Sequence, residues 1–383
     1  MVRAEVFVLS CTSKHGGDEY AVVRLSGKTG VNVRMFDVIK PRICRFGVLI
    51  GTLTLAQGAS TAMANDGVAA LGTGGLVFEH TDRVQMASEI LKISPDKIDV
   101  EYVFKNMGAE DATLTVAFPM PELDMMQLSG IKPPALEEAI KTNDVNFLRF
   151  ETWVEGKKVE PEMEVRVSAK DGNDITTEFR NLKLTPLNPY PLDAEGSEPA
   201  IGKKLEALDA ADVVENEESG RSDKLYSGAW KTQITYYWKQ TFPAGKETRI
   251  RHSYRPVPGY TSMGTCGGAF IESAEWEKDY CPDRTFRKAL QSRTDAKKNT
   301  GKASPDNDGH ACLQSDSIQY ILGTAKTWAG PIGSFTLFID KGKSSLFSLC
   351  SPEGLKLVRS GKTFVATAKS FVPKEDLNIL FVY

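Results

Sequence analysis

The stretch IDVEYVFKNMGAEDATLTVAF, residues 98–118, decides the fold class. Ile98, Val100, Tyr102 and Phe104 alternate with Asp99, Glu101 and Lys105. A polar loop spans Asn106–Asp111, and Leu114, Val116 and Phe118 then alternate with Thr113 and Thr115. Successive side chains of an extended chain point to opposite faces, so a period of two buries one face and wets the other. Residues 98–118 therefore read as an antiparallel hairpin. The pattern recurs downstream, with Ile234, Tyr236, Trp238 and Phe242, a turn at Pro243-Ala244-Gly245, and then Ile250, His252 and Tyr254.

Working outward, Leu136, Ala139 and Ile140 have helical spacing within 134–147, and Phe286, Ala289 and Leu290 have it within 286–298. Strands are expected at 150–154, 159–169, 317–322, 335–339, 346–349, 364–368 and 377–382. A turn is expected at Asp171-Gly172-Asn173-Asp174. Pro186, Pro189 and Pro191 break regular structure, and the acidic run 207–218 reads equally as an amphipathic helix or a solvated loop. The expectation is a mainly β protein with minor α, made of two antiparallel β-sandwich-like domains with a few short helices. The domains are expected at 65–190 and 225–383, joined by a linker and acidic segment at 191–224.

The N-terminus reads as an export signal at 35–64. Lys40, Arg42 and Arg45 precede the apolar run 46–56, and small residues lead to Ala62-Met63-Ala64. That order of charge, apolar core and A-x-A site predicts cleavage between Ala64 and Asn65 and a periplasmic location. Met35 stands where such a signal would start, so 1–34 reads as an over-long N-terminal extension. The run is shorter than the roughly 20 apolar residues of a spanning helix, and the mature part is expected to hold no integral membrane segment.

The remaining 319 residues carry 39 Lys+Arg against 46 Asp+Glu, a balance that argues against a nucleic-acid partner. Their four cysteines, Cys266, Cys281, Cys312 and Cys350, suit two disulfides in an exported chain, with three possible pairings. No C-x-x-C, H-E-x-x-H or G-x-S-x-G occurs, so the sequence gives no catalytic residue, metal or cofactor. Ser360-Gly361-Lys362-Thr363 lacks the first glycine of a phosphate loop, and both it and Gly72–Gly75 read as turns. The carboxylates at 171–174 and 306–308 lack EF-hand spacing.

His252 is expected as a hydrogen-bonded core residue on the face of Ile250 and Tyr254. Arg249, Arg251 and Arg255 fall on the opposite face, either as an anion-binding stripe or as a solvated face paired with acids. Trp328, Gly330 and Pro331 form a loop that either presents the indole to a ligand or plugs the sandwich. Tyr237 is a candidate groove residue. Leu377, Ile379, Phe381 and Tyr383 alternate to an aromatic end, as in the last strand of an outer-membrane barrel, although the proline-rich segment and helices suit a barrel poorly.

Several blocks resemble one family of exported bacterial proteins: Asn65-Asp66-Gly67, residues 74–78 (GGLVF), Phe118-Pro119-Met120-Pro121, Tyr280-Cys281, and residues 328–335 (WAGPIGSF) with Asp340-Lys341-Gly342. It is known as domain-of-unknown-function family 4424. The resemblance spans nearly all of the chain after residue 64. It implies an exported protein of unassigned activity and transfers no catalytic residues. The preferred expectation is a non-enzymatic binding or envelope-interaction protein whose partner is a small molecule or an envelope protein. The alternatives are a hydrolase with an unusual site at His80 or His310, and an outer-membrane-associated β protein.

Overall fold

A computed structural model describes residues 12–15, 18–21, 65–72, 75–129, 134–142, 144, 146–188, 199–216, 223–256, 259–266, 274–299 and 312–383. The chain forms two compact units, Met1–Gly58 and Ala59–Tyr383. In the first, β1 (Thr12–His15) pairs antiparallel with β2 (Asp18–Ala21). The expected signal at 35–64 lies outside the described residues, as do Pro189, Pro191, Asp306–Asp308 and His310.

The second unit opens with the hairpin β3 (Gly67–Gly72) and β4 (Gly75–Phe78), then β5 (Val84–Ile93), β6 (Ile98–Asn106) and β7 (Ala112–Pro119). Short β8 (Leu123–Asp124), α1 (Met125–Ser129) and α2 (Pro134–Thr142) lead to β9 (Glu151–Val154), β10 (Lys157–Val159) and β11 (Glu162–Ser168). After α3 (Thr176–Asn181) and α4 (Pro199–Ala207) come β12 (Ala211–Asn216), β13 (Asp223–Gly228), β14 (Lys231–Phe242), β15 (Glu247–Tyr254) and β16 (Gly259–Cys266). The last third holds α5 (Ala274–Tyr280), α6 (Arg284–Asn299), β17 (Cys312–Tyr320), a 3-10 turn (Gly323–Thr327) and β18 (Ile332–Asp340). It ends with β19 (Leu346–Leu349), β20 (Val358–Ser360), β21 (Thr363–Phe371) and β22 (Leu377–Val382).

The strands form an eight-stranded sheet in the order β10-β9-β15-β6-β5-β18-β21-β20 and a six-stranded sheet with the path β11-β14-β7-β3-β4, β8 adding to β14. A four-stranded sheet, β16-β17-β22-β19, and the β12–β13 hairpin complete the unit. The two large sheets pack face to face. Phe118 of β7 lies 5.0 Å from His252 of β15, and Trp238 of β14 lies 5.4 Å from the same ring. The residues expected to face inward do so, among them Val100, Tyr102, Phe104, Val116, Phe118, Ile234 and Ile250.

The boundary expected at 191–224 does not separate two cores. β18, from the C-terminal third, inserts parallel to β5 with Ser334 opposite Ser88, and one apolar cluster joins residues from 68 to 381. Each half alone would leave an unpaired interior edge in the eight-stranded sheet, a liability that pairing removes. The run 207–218 contains β12 instead of a helix, because β-branched Val213 and Val214 pair with Tyr226 and Leu225 of β13.

The junction of β5 and β18 contains a local irregularity that reverses a face. The β5–β6 register shifts between Met86 and Ser88, so Val84 and Met86 point inward before the bulge while Glu89, Leu91 and Ile93 do so after it. Gly333 makes the bulge possible. A Cβ there would lie 2.5 Å from the Ala87 carbonyl oxygen, a backbone atom that cannot swing aside. Gly333→Ala is expected to destabilise the fold by about 1–3 kcal/mol, an overpacking penalty readable by urea unfolding. An unchanged midpoint would show that the strands part freely at this point.

One expected disulfide is present, Cys281–Cys350, tying the end of α5 to the residue after β19. Cys266 and Cys312 are backbone partners across β16 and β17. No helix among the described residues is long and apolar enough to cross a membrane.

Candidate functional site

The eight-stranded sheet has a solvent face built by register. Trp153 on β9 stands beside Arg251 on β15, Arg251 beside Glu101 on β6, and Glu101 beside Ile90 on β5. In-register neighbours point the same way, so these side chains form one row, with Arg249, Val103 and Ser88 in the next. Between the rows lies a cleft of about 480 Å³, also lined by Tyr102, Gly156 and Ile250.

Charge in this cleft is unevenly committed. The Arg251 guanidinium sits 4.7 Å from the Trp153 ring centroid and donates to Asp99 Oδ1 at 3.0 Å. Asp99 also meets Lys97 at 2.9 Å, and these cations hold its carboxyl below the usual range against the opposing effect of partial burial. Glu101 is taken by Lys92 at 3.0 Å. The Glu155 carboxylate accepts from the Arg249 backbone N–H at 2.6 Å, so it is not spent on the guanidinium. The exposed Arg249 guanidinium has no ion pair among the described residues. The stripe is thus Arg249 and Arg251. Arg255 lies past the end of β15, gives its backbone N–H to Leu148 O and does not line the cleft.

Trp328 is placed in the core, not on the surface. It is 1% exposed, packs 4.4 Å from Phe104 and 5.8 Å from Phe242, and donates its indole N–H to the Asp66 carbonyl at 2.7 Å. The plug reading holds and the ligand-presenting reading falls, because a buried, hydrogen-bonded indole has no face to offer. Gly330, at φ +67°, and Pro331, whose carbonyl accepts from Gln85 at 3.5 Å, carry the chain from the Trp328 anchor into β18. Tyr237 is half-buried beside Ala69, Leu76 and Ala117, and its hydroxyl donates to Glu162 at 2.9 Å.

Beneath Trp328 lies a fully buried polar cluster. His252 Nε2 and Asp66 Oδ1 are 3.0 Å apart. Asn65 donates to Glu89 Oε2 at 3.2 Å and accepts from the Tyr102 hydroxyl. Tyr102 and Tyr320 hydroxyls are 3.1 Å apart, and Tyr320 donates to Glu89 Oε1 at 3.3 Å. Thr324 Oγ1 donates to the Asn65 carbonyl at 2.5 Å. Burial pushes the Glu89 carboxyl up to about 8, against the pull of its Asn65 and Tyr320 hydrogen bonds. Burial raises Asp66 as well, against the pull of His252. His252 is the expected hydrogen-bonded core residue. His80 is exposed and lies 2.8 Å from Asp82, whose hydrogen bond raises its pKa.

Sequence reasoning assigns no element to 84–93, whose alternation the β5 bulge interrupts, and so misses Glu89; it takes Asn65 and Asp66 as the flank of a cleavage site and as part of a family-like block. Trp153 was visible in a predicted strand, but its pairing with Arg251 depends on register.

The family model described as "Domain of unknown function (DUF4424)" matches residues 64–380. No curated protein matches the chain. A solved structure from Legionella pneumophila, a "putative nutrient binding protein", is 15% identical, with 83% of this chain and 70% of that one covered and a TM-score of 0.39. An M1 zinc metallopeptidase from Deinococcus radiodurans is 8% identical, with 79% and 43% covered and a TM-score of 0.20. Likeness at this level carries no functional argument.

Proposed function

Since the chain belongs to the family of the unassigned domain DUF4424, we propose its function from its own surface: an exported, non-enzymatic binding protein for small anions with a flat apolar part. The observation that carries this reading is the uncommitted Arg249 guanidinium beside the Trp153–Arg251 stack in a cleft of about 480 Å³. That size suits a small ligand. A guanidinium fork matches a carboxylate bidentately, and an indole offers a flat apolar wall. The carboxylates nearby are engaged by Lys92, Lys97 and Arg251 and are poorly placed to act as a base. The charge, apolar run and A-x-A site at 40–64 support export, as does the Cys281–Cys350 disulfide, a bond that persists in oxidising compartments.

Benzoate is the first probe, titrated against tryptophan fluorescence, with inorganic phosphate as the anion lacking a flat part. Arg249→Ala and Trp153→Ala are each expected to weaken benzoate binding at least tenfold, with Arg255→Ala unchanged. Because Arg249 is exposed, its loss should move stability by no more than about 0.5 kcal/mol. No response to benzoate, or equal loss in the Arg255 variant, would overturn this site.

A further inference from the structure

The buried cluster holds two carboxyl groups and lacks a matching cation. Glu89 and Asp66 are fully buried, and Asp66 Oδ2 has no hydrogen-bond partner among the described residues. Among the described residues no lysine or arginine pairs with either; the basic side chain present is His252, on Asp66 Oδ1. The other groups facing Glu89 are the Tyr102, Tyr254 and Tyr320 hydroxyls, whose own ionisation burial and these carboxylates oppose. Thr324 and Trp328 bring no charge. Asp376 is tied to the Leu322 amide at 2.9 Å, and Lys326 beside it is exposed. A buried carboxylate without a cation is costly, and natural cores resolve it by pairing or by holding the proton.

Asn65 stands at the centre of this cluster, fully buried and fixed from three sides. Its amide nitrogen donates to Glu89, its amide oxygen accepts from the Tyr102 hydroxyl and the Asp66 N–H, and its carbonyl accepts from Thr324. Covalent geometry keeps the backbone nitrogen of any asparagine within about 5 Å of its own side-chain amide. With that amide nitrogen 3.2 Å from Glu89 Oε2, the Asn65 backbone nitrogen lies within about 8 Å of the carboxyl whatever its rotamer. With the 64–65 bond intact that nitrogen is a neutral amide.

We propose that the α-ammonium freed at Asn65 by export processing is the cation this core is built around, pairing with Glu89 and Asp66 so that cleavage completes the fold. The proposal rests on the export reading above. Hydrolysis of the Ala64–Asn65 bond consumes one water, leaves a carboxylate on Ala64 and gives Asn65 an amine that takes up a proton. The two carboxyl groups then have an ammonium beside them, where the intact precursor offers a neutral amide. The device resembles a latch: the processed end supplies the charge that the interior lacks.

The test uses the full-length gene expressed with its own signal and the protein purified from the envelope. Intact mass first reports the terminal residue, and a terminus other than Asn65 overturns this proposal together with the processing part of the export reading. With Asn65 first, amine acylation is followed against pH in the folded and urea-unfolded protein. The folded protein is expected to react at least 100-fold more slowly, with the midpoint of its pH profile more than one unit above an ordinary α-amine. An ion pair raises that midpoint, whereas burial without a pair lowers it. Glu89→Gln should bring the midpoint down. A freely reactive amine, or a lowered midpoint in the wild type, overturns the pairing and leaves the export reading intact.

Discussion

Trp328→Ala is expected to lower the unfolding free energy by about 4 kcal/mol while leaving benzoate binding in the folded fraction unchanged. The indole fills the space between Phe104 of the eight-stranded sheet and Phe242 of the six-stranded one, so its loss opens a cavity between two layers that cannot easily close. It also strands the Asp66 carbonyl, which accepts the indole N–H at 2.7 Å and lies in a fully buried residue. An orphaned buried acceptor costs roughly 1–3 kcal/mol, a part of the total that Trp328→Phe should isolate. Urea unfolding of both variants checks the two components. A stable Trp328→Ala protein that has lost benzoate would show that the tryptophan acts in recognition, and would move the site from the Arg249 cleft to the 328–331 loop.

The sheet content was legible because its central strands carry a clean period of two. Residues 98–104 and 250–254 place their apolar members inward as the alternation requires, and the inward position of His252 follows from the same count. Domain organisation was not legible. Nothing in the local pattern of 332–340 says that this strand pairs with 84–93, some 250 residues earlier and in parallel. The β5 strand hid Glu89 for a local reason, one extra residue at Ala87, which the sequence marks only through Gly333 on a strand far along the chain. Trp328 was ambiguous because a tryptophan beside glycine and proline suits a surface loop and a core plug equally. The plug wins here because the Asp66 carbonyl lies in reach. Of the arginine stripe, spacing correctly put Arg249 and Arg251 on one face. It could not see that β15 stops at Tyr254 and leaves Arg255 outside.

Glu89 sets the second large expectation, a fall in the stability of the uncleaved chain as pH rises from about 4.5 to about 8. The carboxyl titrates near 4.5 when unfolded and is pushed up to about 8 in the fold, chiefly by burial. Between these values the folded state holds a proton that the unfolded state releases, so folding is opposed as protons are withdrawn. The stabilising contribution is complete below 4.5 and is lost on passing through 8, with a steepest slope of about 1.4 kcal/mol per pH unit and a total of roughly 5 kcal/mol. Asp66 is shifted in the same direction and steepens the limb. Chemical unfolding of the precursor at half-unit steps from pH 5 to 8 measures it. Glu89→Gln keeps the side chain's size and its hydrogen-bonding capacity toward Asn65 and Tyr320 while removing the proton, so its profile should lose most of that slope. A precursor whose stability stays level, or an unchanged slope in the glutamine variant, would assign the pH dependence to other groups. The chain starting at Asn65 should behave differently from its precursor with no change in side chains. An ammonium beside Glu89 favours the carboxylate and draws its titration back toward the unfolded value, flattening the limb up to the pH at which the amine itself deprotonates. The same carboxyl thus disfavours folding at neutral pH before processing and ceases to do so afterwards, an order of events in which cleavage itself would tighten the interior.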